Sequence, residues 1–129
     1  SAIRVTEEFD SGPVYLKRTL SLRGSAEEIY RRAAVVIFGG MMPALVRGTI
    51  TPRPQKGEAV VFRRRTPEES GLVSTASVPE AYDMIRMLDA EGYPRAFLET
   101  KTLRFEFFAA QMKGRRLTAR VEIRPKETT

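Results

Sequence analysis

Residues 102–124 read TLRFEFFAAQMKGRRLTARVEIR, and this stretch decides the fold of the second half of the chain. Apolar and polar side chains alternate from Thr102 to Ala110 and again from Arg116 to Arg124, which is typical of half-buried β-strands. Lys113 and Gly114 lie between the two runs, so the sequence predicts an antiparallel hairpin. The side chains predicted to face inward are Leu103, Phe105, Phe107, Leu117, Ala119, Val121 and Ile123.

Two helices are predicted upstream of the hairpin. The pattern Ser77–Glu80 is a capping box that begins the second of them. The pattern Ser25–Glu28 begins a longer helix, which Gly39-Gly40 and Pro43 should weaken midway before Gly48 ends it. The apolar stripe of this longer helix, at three- and four-residue steps, consists of Ile29, Ala33, Val36, Ile37, Met41 and Leu45.

Three shorter strands are also predicted, over Val14–Leu22, Ala59–Phe62 and Ala96–Glu99. Residues 51–57 contain two prolines and a glycine and are predicted to be a linker. The predicted fold class is α+β, with a strand and a long helix over residues 1–55 and a small, largely antiparallel domain with one helix over residues 56–129. Because no element precedes the first strand to form a sheet with it, residues 1–55 are expected to be a fragment of a larger unit.

The residue types that the chain lacks exclude several kinds of site. It has no cysteine, histidine, tryptophan or asparagine, which excludes thiol nucleophiles, Cys-based zinc sites and histidine bases, and no metal site is predicted. The net charge is +6, and arginine supplies 17 of the 22 basic residues, which favours contacts to phosphate or carboxylate. The longest apolar stretch, Ala33–Phe38, is too short to span a membrane. With the absence of cysteine, this predicts a cytoplasmic protein.

The motif Asp10-Ser11-Gly12-Pro13 is the sharpest local feature before the first helix. Its residues are typical of a tight turn that leads into a strand. The functional alternative is that Asp10 lies in a loop next to a sheet, where a carboxylate can take a proton or orient a water molecule. Both interpretations stay open on the motif alone, and Asp10 is the candidate catalytic residue.

A basic surface is predicted at the C-terminal hairpin. Residues 101–129 carry eight basic and three acidic side chains, and Arg116, Arg120 and Arg124 share one face of the last strand. This face could contact the phosphates of a nucleic acid, or it could simply keep the sheet soluble. The phenylalanines of the hairpin are predicted to point inward, so no aromatic platform for stacking unpaired bases is expected.

A second basic run, Arg63–Arg65, precedes Thr66–Glu69, which is typical of the first turn of a helix. These arginines could meet phosphates, or they could pair with Glu68 or Glu69.

Three motifs, in their order, resemble the C-terminal half of a folate-dependent formyltransferase. Residues Glu8–Val14 resemble the D-x-G-P segment that closes the family's catalytic domain. Residues 54–69 resemble the crossing into the C-terminal domain, and residues 81–97 resemble that domain's helix and following strand. The family includes methionyl-tRNA formyltransferase and the N-formyltransferases that act on nucleotide-linked amino sugars.

The resemblance implies a parent enzyme that moves a formyl group from 10-formyltetrahydrofolate to an amine, with Asp10 as the aspartate of a catalytic Asn, His and Asp. The chain contains neither Asn nor His, so we expect it to be inactive alone and to need no cofactor by itself. The implied partners are tRNA or a nucleotide sugar. A second copy of the chain or the missing N-terminal half is expected to bind through residues 1–48, and no membrane contact is expected.

Two other functions stay open. A non-catalytic module could hold tRNA or another phosphate-bearing ligand on the basic hairpin. A plain interaction or assembly domain would need neither site. The missing Asn and His count against autonomous catalysis, whereas the Asp10 motif favours a catalytic ancestry.

Overall fold

Helices and two small antiparallel sheets make up the chain, which confirms the predicted α+β class. The structure, a computed structural model, describes residues 1–126. Two compact units divide the chain: residues 1–22 with 29–63, and residues 23–28 with the chain from residue 64 onward. The proposed division of the parent protein at residues 55 and 56 stays a prediction.

In the first unit, strand β1 (Ala2–Ile3) pairs antiparallel with strand β2 (Val14–Leu16). Val14 also forms a bridge with Arg53, in which each backbone N–H donates to the other residue's carbonyl at 2.8 and 2.9 Å. The predicted strand Val14–Leu22 is therefore wrong beyond Leu16. The physical reason is that β1 is two residues long and the Arg53 bridge pairs Val14 alone, so no strand within residues 1–126 lies beside residues 17–22.

One continuous helical segment follows, as predicted. It consists of α1 (Ala26–Val36), a π-helical turn (Ile37–Met41) and α2 (Met42–Arg47). Ser25 caps it with both bonds of the capping box, from the Glu28 N–H to Ser25 Oγ and from the Ser25 N–H to Glu28 Oε2. Instead of breaking at Pro43, the helix widens: the Met42 N–H donates to the Ile37 carbonyl, five residues back.

The helical segment is more apolar than its sequence pattern suggests. Ile29 and Met41 of the predicted stripe are buried. A second row of large apolar side chains is exposed, consisting of Val35, Phe38, Met42 and Val46. The segment Ala26–Arg47 is 22 residues long, and an 18-residue window within it has a mean hydropathy of 1.4, enough by length and composition alone to cross a bilayer. One such helix is weak evidence for a membrane span, because core helices of soluble proteins and signal sequences pass the same test.

The segment before the second unit differs from the prediction. Residues 59–62 form no strand, and Phe62 is 87% exposed, because no other strand of the described chain lies beside them. The predicted helical turn forms as a short 3-10 helix (Pro67–Ser70). Thr66 and Glu69 close its capping box. A second 3-10 helix covers Leu72–Ser74.

The second unit contains α3 (Val78–Met87) and a three-stranded antiparallel sheet in the order β3 (Ala96–Glu99), β4 (Leu103–Lys113) and β5 (Arg116–Pro125). The predicted helix, short strand and hairpin are thus confirmed. Ile85 of α3 is 1% exposed and forms the centre of the core between helix and sheet.

A β-bulge interrupts β4 and sets which side chains share a face. Phe108 pairs with Arg120, but the next pair is Gln111 with Thr118, so one extra residue lies on β4. Ala109 takes a positive φ of 50° in the bulge, and its N–H donates to Asp89 Oδ2 at 2.8 Å. The bulge carries β4 three residues past its predicted end at Ala110.

Part of the face predicted to be inward is exposed. Leu117 and Ala119 line the core with α3, but Val121 and Ile123 are 43% and 57% exposed. Leu103 is also exposed. The reason is length: α3 has ten residues and is about 15 Å long, so it covers only the part of the sheet near Phe107.

Candidate nucleic-acid interface and the Asp10 loop

The sheet face opposite α3 is a ladder of ion pairs across all three strands. Arg104 of β4 donates to Glu99 of β3 at 2.8 Å and to Glu106 at 2.9 Å. Arg124 of β5 donates to the same Glu106 oxygen at 2.8 Å, and Lys126 contacts Glu99 at 2.7 Å. Arg104 and Glu106, which alternate with the inward-facing residues of β4, are therefore cross-linked to both neighbouring strands.

Two arginine side chains cover the aromatic rings on this face. The Arg104 guanidinium lies 3.7 Å from the centre of the Phe97 ring, and that of Arg95 lies 4.2 Å from the centre of the Phe108 ring. Arg95 also pairs with Glu122 at 3.0 Å. Because cations stack on both rings, neither ring offers an open platform for an unpaired base.

The ladder holds its carboxylates ionised. A hydrogen bond from Arg124, and a second one from Arg104, lower the pKa of Glu106 against the opposing effect of burial. Hydrogen bonds from Lys126 and Arg104 lower the pKa of Glu99. A cavity of about 500 Å³ opens beside the ladder and is lined by Pro67, Glu68, Phe97, Glu99, Arg104, Arg124 and Lys126. Since its lining mixes both signs of charge, it has no clear preference for an anion.

The other end of the same face carries cations without such partners. Arg116 and Arg120 are exposed and form no ion pair or side-chain hydrogen bond within residues 1–126, whereas Arg124 is committed to Glu106. Lys113 pairs with Arg116 across the hairpin and so lies on the same face. We call Lys113, Arg116, Arg120 and Arg124 the basic face.

Lys113 is the member of the basic face that the sequence pattern missed. A regular strand would place Lys113 with Phe105 and Phe107, on the side of α3. The bulge after Phe108 shifts the alternation by one residue and turns Lys113 to the opposite side. The neighbouring Ala109-Ala110 gives no sequence signal for a bulge, because neither residue is typical of one.

Asp10 lies in the first unit, in a loop between β1 and β2 whose backbone is well bonded. Its φ is +54°, in the left-handed region that non-glycine residues rarely adopt. Its carboxylate is exposed and accepts no hydrogen bond from the described residues. The side-chain amide of Gln55 donates to the carbonyls of Asp10 and Gly12 at 2.6 and 2.9 Å.

Short polar contacts close the rest of the Asp10 loop. The hydroxyls of Thr6 and Ser11 lie 2.8 Å apart, so that one can donate to the other, and they lie 2.9 and 3.0 Å from the Glu8 carbonyl oxygen, which also accepts. The Arg4 N–H donates to the Pro13 carbonyl at 2.9 Å. The loop therefore presents a carboxylate that has no side-chain partner on a backbone that is held at several points.

Arg65 of the Arg63–Arg65 run donates to the backbone carbonyl of Glu69 at 2.8 Å and to the sulfur of Met84 at 3.3 Å. Arg64 and Arg65 line a cavity of about 470 Å³ together with Thr66, Pro67, Ser70, Leu88, Tyr93 and Pro94.

These features define a class of protein: an α+β domain with an arginine-rich sheet face, preceded by a carboxylate-bearing loop and a long helix. Residues 67–124 match the family described as methionyl-tRNA formyltransferase, C-terminal domain. The structure of methionyl-tRNA formyltransferase from Clostridium thermocellum is similar to this chain, with a TM-score of 0.91 and 45% sequence identity over 96% of the chain.

Both matches confirm the resemblance to the C-terminal half of a folate-dependent formyltransferase. The chain spans 55% of the length of the Clostridium thermocellum protein.

The ion-pair ladder predicts an acid-sensitive fold in the second unit. Because the folded-state pKa of Glu106 is lowered, its stabilisation is present above the ordinary glutamate pKa of about 4.3 and is lost as the pH falls through the folded value. We expect Glu106→Gln to lower the urea midpoint at pH 7, and the gap to the parent to narrow as the pH falls below the ordinary glutamate pKa. Urea titrations followed by circular dichroism at several pH values measure this.

The matched control is Glu91→Gln, which removes the same charge from an exposed position between α3 and β3. A gap between Glu106→Gln and the parent that stays constant from pH 7 to pH 3 would contradict the role of the ladder.

Proposed function

We propose that this chain is the C-terminal part of an enzyme that transfers a formyl group from 10-formyltetrahydrofolate to the amine of methionyl-tRNA. The observation that carries the proposal is the 45% identity to a methionyl-tRNA formyltransferase over 96% of the chain. The matched family is also named for methionyl-tRNA, which favours tRNA over a nucleotide sugar as the bearer of the amine. A cytoplasmic location stays a prediction.

The proposed transfer needs a group that manages a proton. A bond forms between the amine nitrogen and the formyl carbon, and the bond from that carbon to the folate nitrogen breaks. The amine loses one proton, and the departing folate nitrogen gains one. Asp10 fits this task because its exposed carboxylate has no competing partner among residues 1–126. The Asn and His of the family's site would come from another part of the parent protein, since the chain has neither.

The catalytic role of Asp10 can be tested in a protein that joins this chain to the Asn- and His-bearing part. We expect Asp10→Asn to lower the formylation rate about 10²- to 10⁴-fold, the usual contribution of a positioned acid or base, with tRNA binding unchanged. The control Asp83→Asn removes an exposed carboxylate that pairs with Arg86 on α3 and should keep full activity.

The isolated chain should not turn over 10-formyltetrahydrofolate with any amine. Turnover by the isolated chain, abolished by Asp10→Asn, would instead show that it is an enzyme by itself.

The basic face is the proposed tRNA-binding surface of the second unit. Arg116 and Arg120 can neutralise phosphates at little cost, because no carboxylate of the described chain competes for them. Arg124 already forms an ion pair with Glu106, which competes with a phosphate for its guanidinium. A non-catalytic tRNA-binding module is the second candidate function, and the same face favours it.

We expect the chain to bind tRNA weakly, in the range of about 10⁻⁴ to 10⁻⁶ M near physiological salt, with steep salt dependence. Replacing Arg116 and Arg120 by serine should flatten the slope of log K against log salt by about two, roughly one per lost phosphate contact. Arg124 is kept so that the Glu106 ion pair survives. A filter-binding titration over a salt series measures both quantities.

The control is Lys17→Ser with Lys56→Ser, which removes two exposed positive charges from the first unit. If both double variants lose the same slope, binding follows net charge alone and the basic face has no special role.

The exposed row on the long helix is the proposed contact with the rest of the parent enzyme. Phe38 is 66% exposed and lies on one stripe with Val35, Met42 and Val46. An apolar stripe of this kind marks an interaction surface. We propose that the N-terminal catalytic part covers it, because the Clostridium thermocellum relative is almost twice as long as its match to this chain.

Light scattering on a mixture of this chain with the separately produced N-terminal part should then show a one-to-one complex, which Val35→Gln with Phe38→Gln abolishes. The control Val73→Gln changes an exposed valine of the second unit. If the chain alone forms a dimer, the stripe binds a second copy of the chain. If the chain floats with lipid vesicles, the stripe binds a membrane.

A further inference from the structure

We propose that Gln55 is a positioning residue for Asp10: it fixes the direction of the carboxylate by holding the main-chain carbonyls of Asp10 and Gly12. This inference rests on the proposed catalytic role of Asp10. Gln55 does not touch the carboxylate, and it is 45 residues away in sequence. Its effect therefore runs through the main chain of the loop.

The contact uses one amide group for two carbonyls. Gln55 Nε2 lies 2.6 Å from the Asp10 oxygen and 2.9 Å from the Gly12 oxygen. An amide nitrogen carries two hydrogens, so it can satisfy both acceptors at once. A carboxylate in the same place has no hydrogen to donate and would face two carbonyl oxygens. The geometry is therefore specific to a donor, which a glutamine provides and a glutamate does not.

Without the hydrogen bonds of Gln55, the backbone at Asp10 would move to a more common conformation. Asp10 has a φ of +54°, a conformation that a residue with a Cβ rarely adopts unless its surroundings impose it. A hydrogen bond to the Asp10 carbonyl fixes the peptide plane that follows Asp10, and the bond at Gly12 fixes the plane two residues on. Together they restrict the rotation that would carry the Asp10 side chain elsewhere.

Backbone pairing close to Gln55 in sequence fixes the position of Gln55. Arg53, two residues earlier, exchanges both backbone hydrogen bonds with Val14. Gly12 is buried, and a Cβ on it would lie 1.8 Å from the Arg4 carbonyl oxygen, so the chain packs too closely there to slide. With Val14 and Gly12 anchored, Asp10 is the part of the loop whose direction depends on the amide.

A positioning role and a merely structural role predict different results. If Gln55 orients Asp10, its loss lowers kcat while the KM for tRNA stays the same, because the carboxylate is misplaced and tRNA binding is untouched. If Gln55 only holds the strands together, its loss exposes the Val14 and Arg53 amides to exchange. Kinetics and amide exchange, measured on the same variant, distinguish the two roles.

The experiment compares Gln55→Ala and Gln55→Glu in the protein that joins this chain to the Asn- and His-bearing part. We expect kcat to fall on the order of 10- to 100-fold, as for a small misplacement of a reacting group, with the KM for tRNA unchanged. In the isolated chain, the Ser11 amide resonance should shift, because its peptide bond contains the Asp10 carbonyl, while the Val14 amide stays protected from exchange. Gln111→Ala, an exposed glutamine of the second unit, is the control.

Each result decides the question. An unchanged kcat in Gln55→Ala, in a protein where Asp10→Asn is inactive, overturns the positioning role and leaves the proposed function standing. Loss of Val14 protection in Gln55→Ala shows a structural role and also overturns it. Full activity of Asp10→Asn overturns the proposed function itself, and the positioning role with it.

Discussion

The hydrogen bond from the Ala109 N–H to the Asp89 carboxylate organises the second unit. It holds β4 in a bulge, and the bulge determines which side chains of the hairpin face α3 and which face the opposite side. The backbone carbonyl of Asp89 also accepts from the Glu27 N–H, so the same residue fixes the first turn of the long helix to the end of α3. Without the bulge, Lys113 would point into the core side of the sheet, and the cations of the hairpin would be divided between two faces.

On the sheet face opposite α3, the cations of the ion-pair ladder lie at one end of the hairpin, and Arg116 and Arg120 lie at the other end. At the β3 end every described cation of the ladder has a carboxylate, and the network cross-links three strands. At the turn end Arg116 and Arg120 have none within residues 1–126. A cation already paired with Glu106 must break that pair before it contacts a phosphate, whereas an unpaired one exchanges only small counterions. In the proposed tRNA complex, one end of the face would stabilise the sheet and the other end would contact phosphates.

The sequence predicted the helices and the hairpin, whose signals lie within their own residues. The capping boxes at Ser25 and Ser77 and the alternation in the hairpin are local signals, and the helices and strands follow them. The wrong predictions concern segments whose structure depends on a partner elsewhere in the chain. Residues 17–22 and 59–62 carry strand-like patterns but have no strand beside them, and the bulge depends on an aspartate twenty residues away. For the site, residue type and motif pointed to Asp10, but the hydrogen bonds of Gln55 join residues more than 40 positions apart and leave no local pattern.

The Asp10 loop resolves a conflict between holding a carboxylate and leaving it reactive. Hydrogen bonds or cations on the carboxylate itself would fix its position, but they would also favour its charged form and weaken it as a proton acceptor, as the lowered pKa of Glu106 shows in the ladder. In the loop the donors bind main-chain carbonyls instead, so the support does not reach the carboxylate oxygens. The ladder and the loop therefore hold their acidic residues in different ways: the ladder binds the carboxylates of Glu99 and Glu106 directly, whereas in the loop Gln55 binds the backbone at Asp10, the residue proposed to be catalytic.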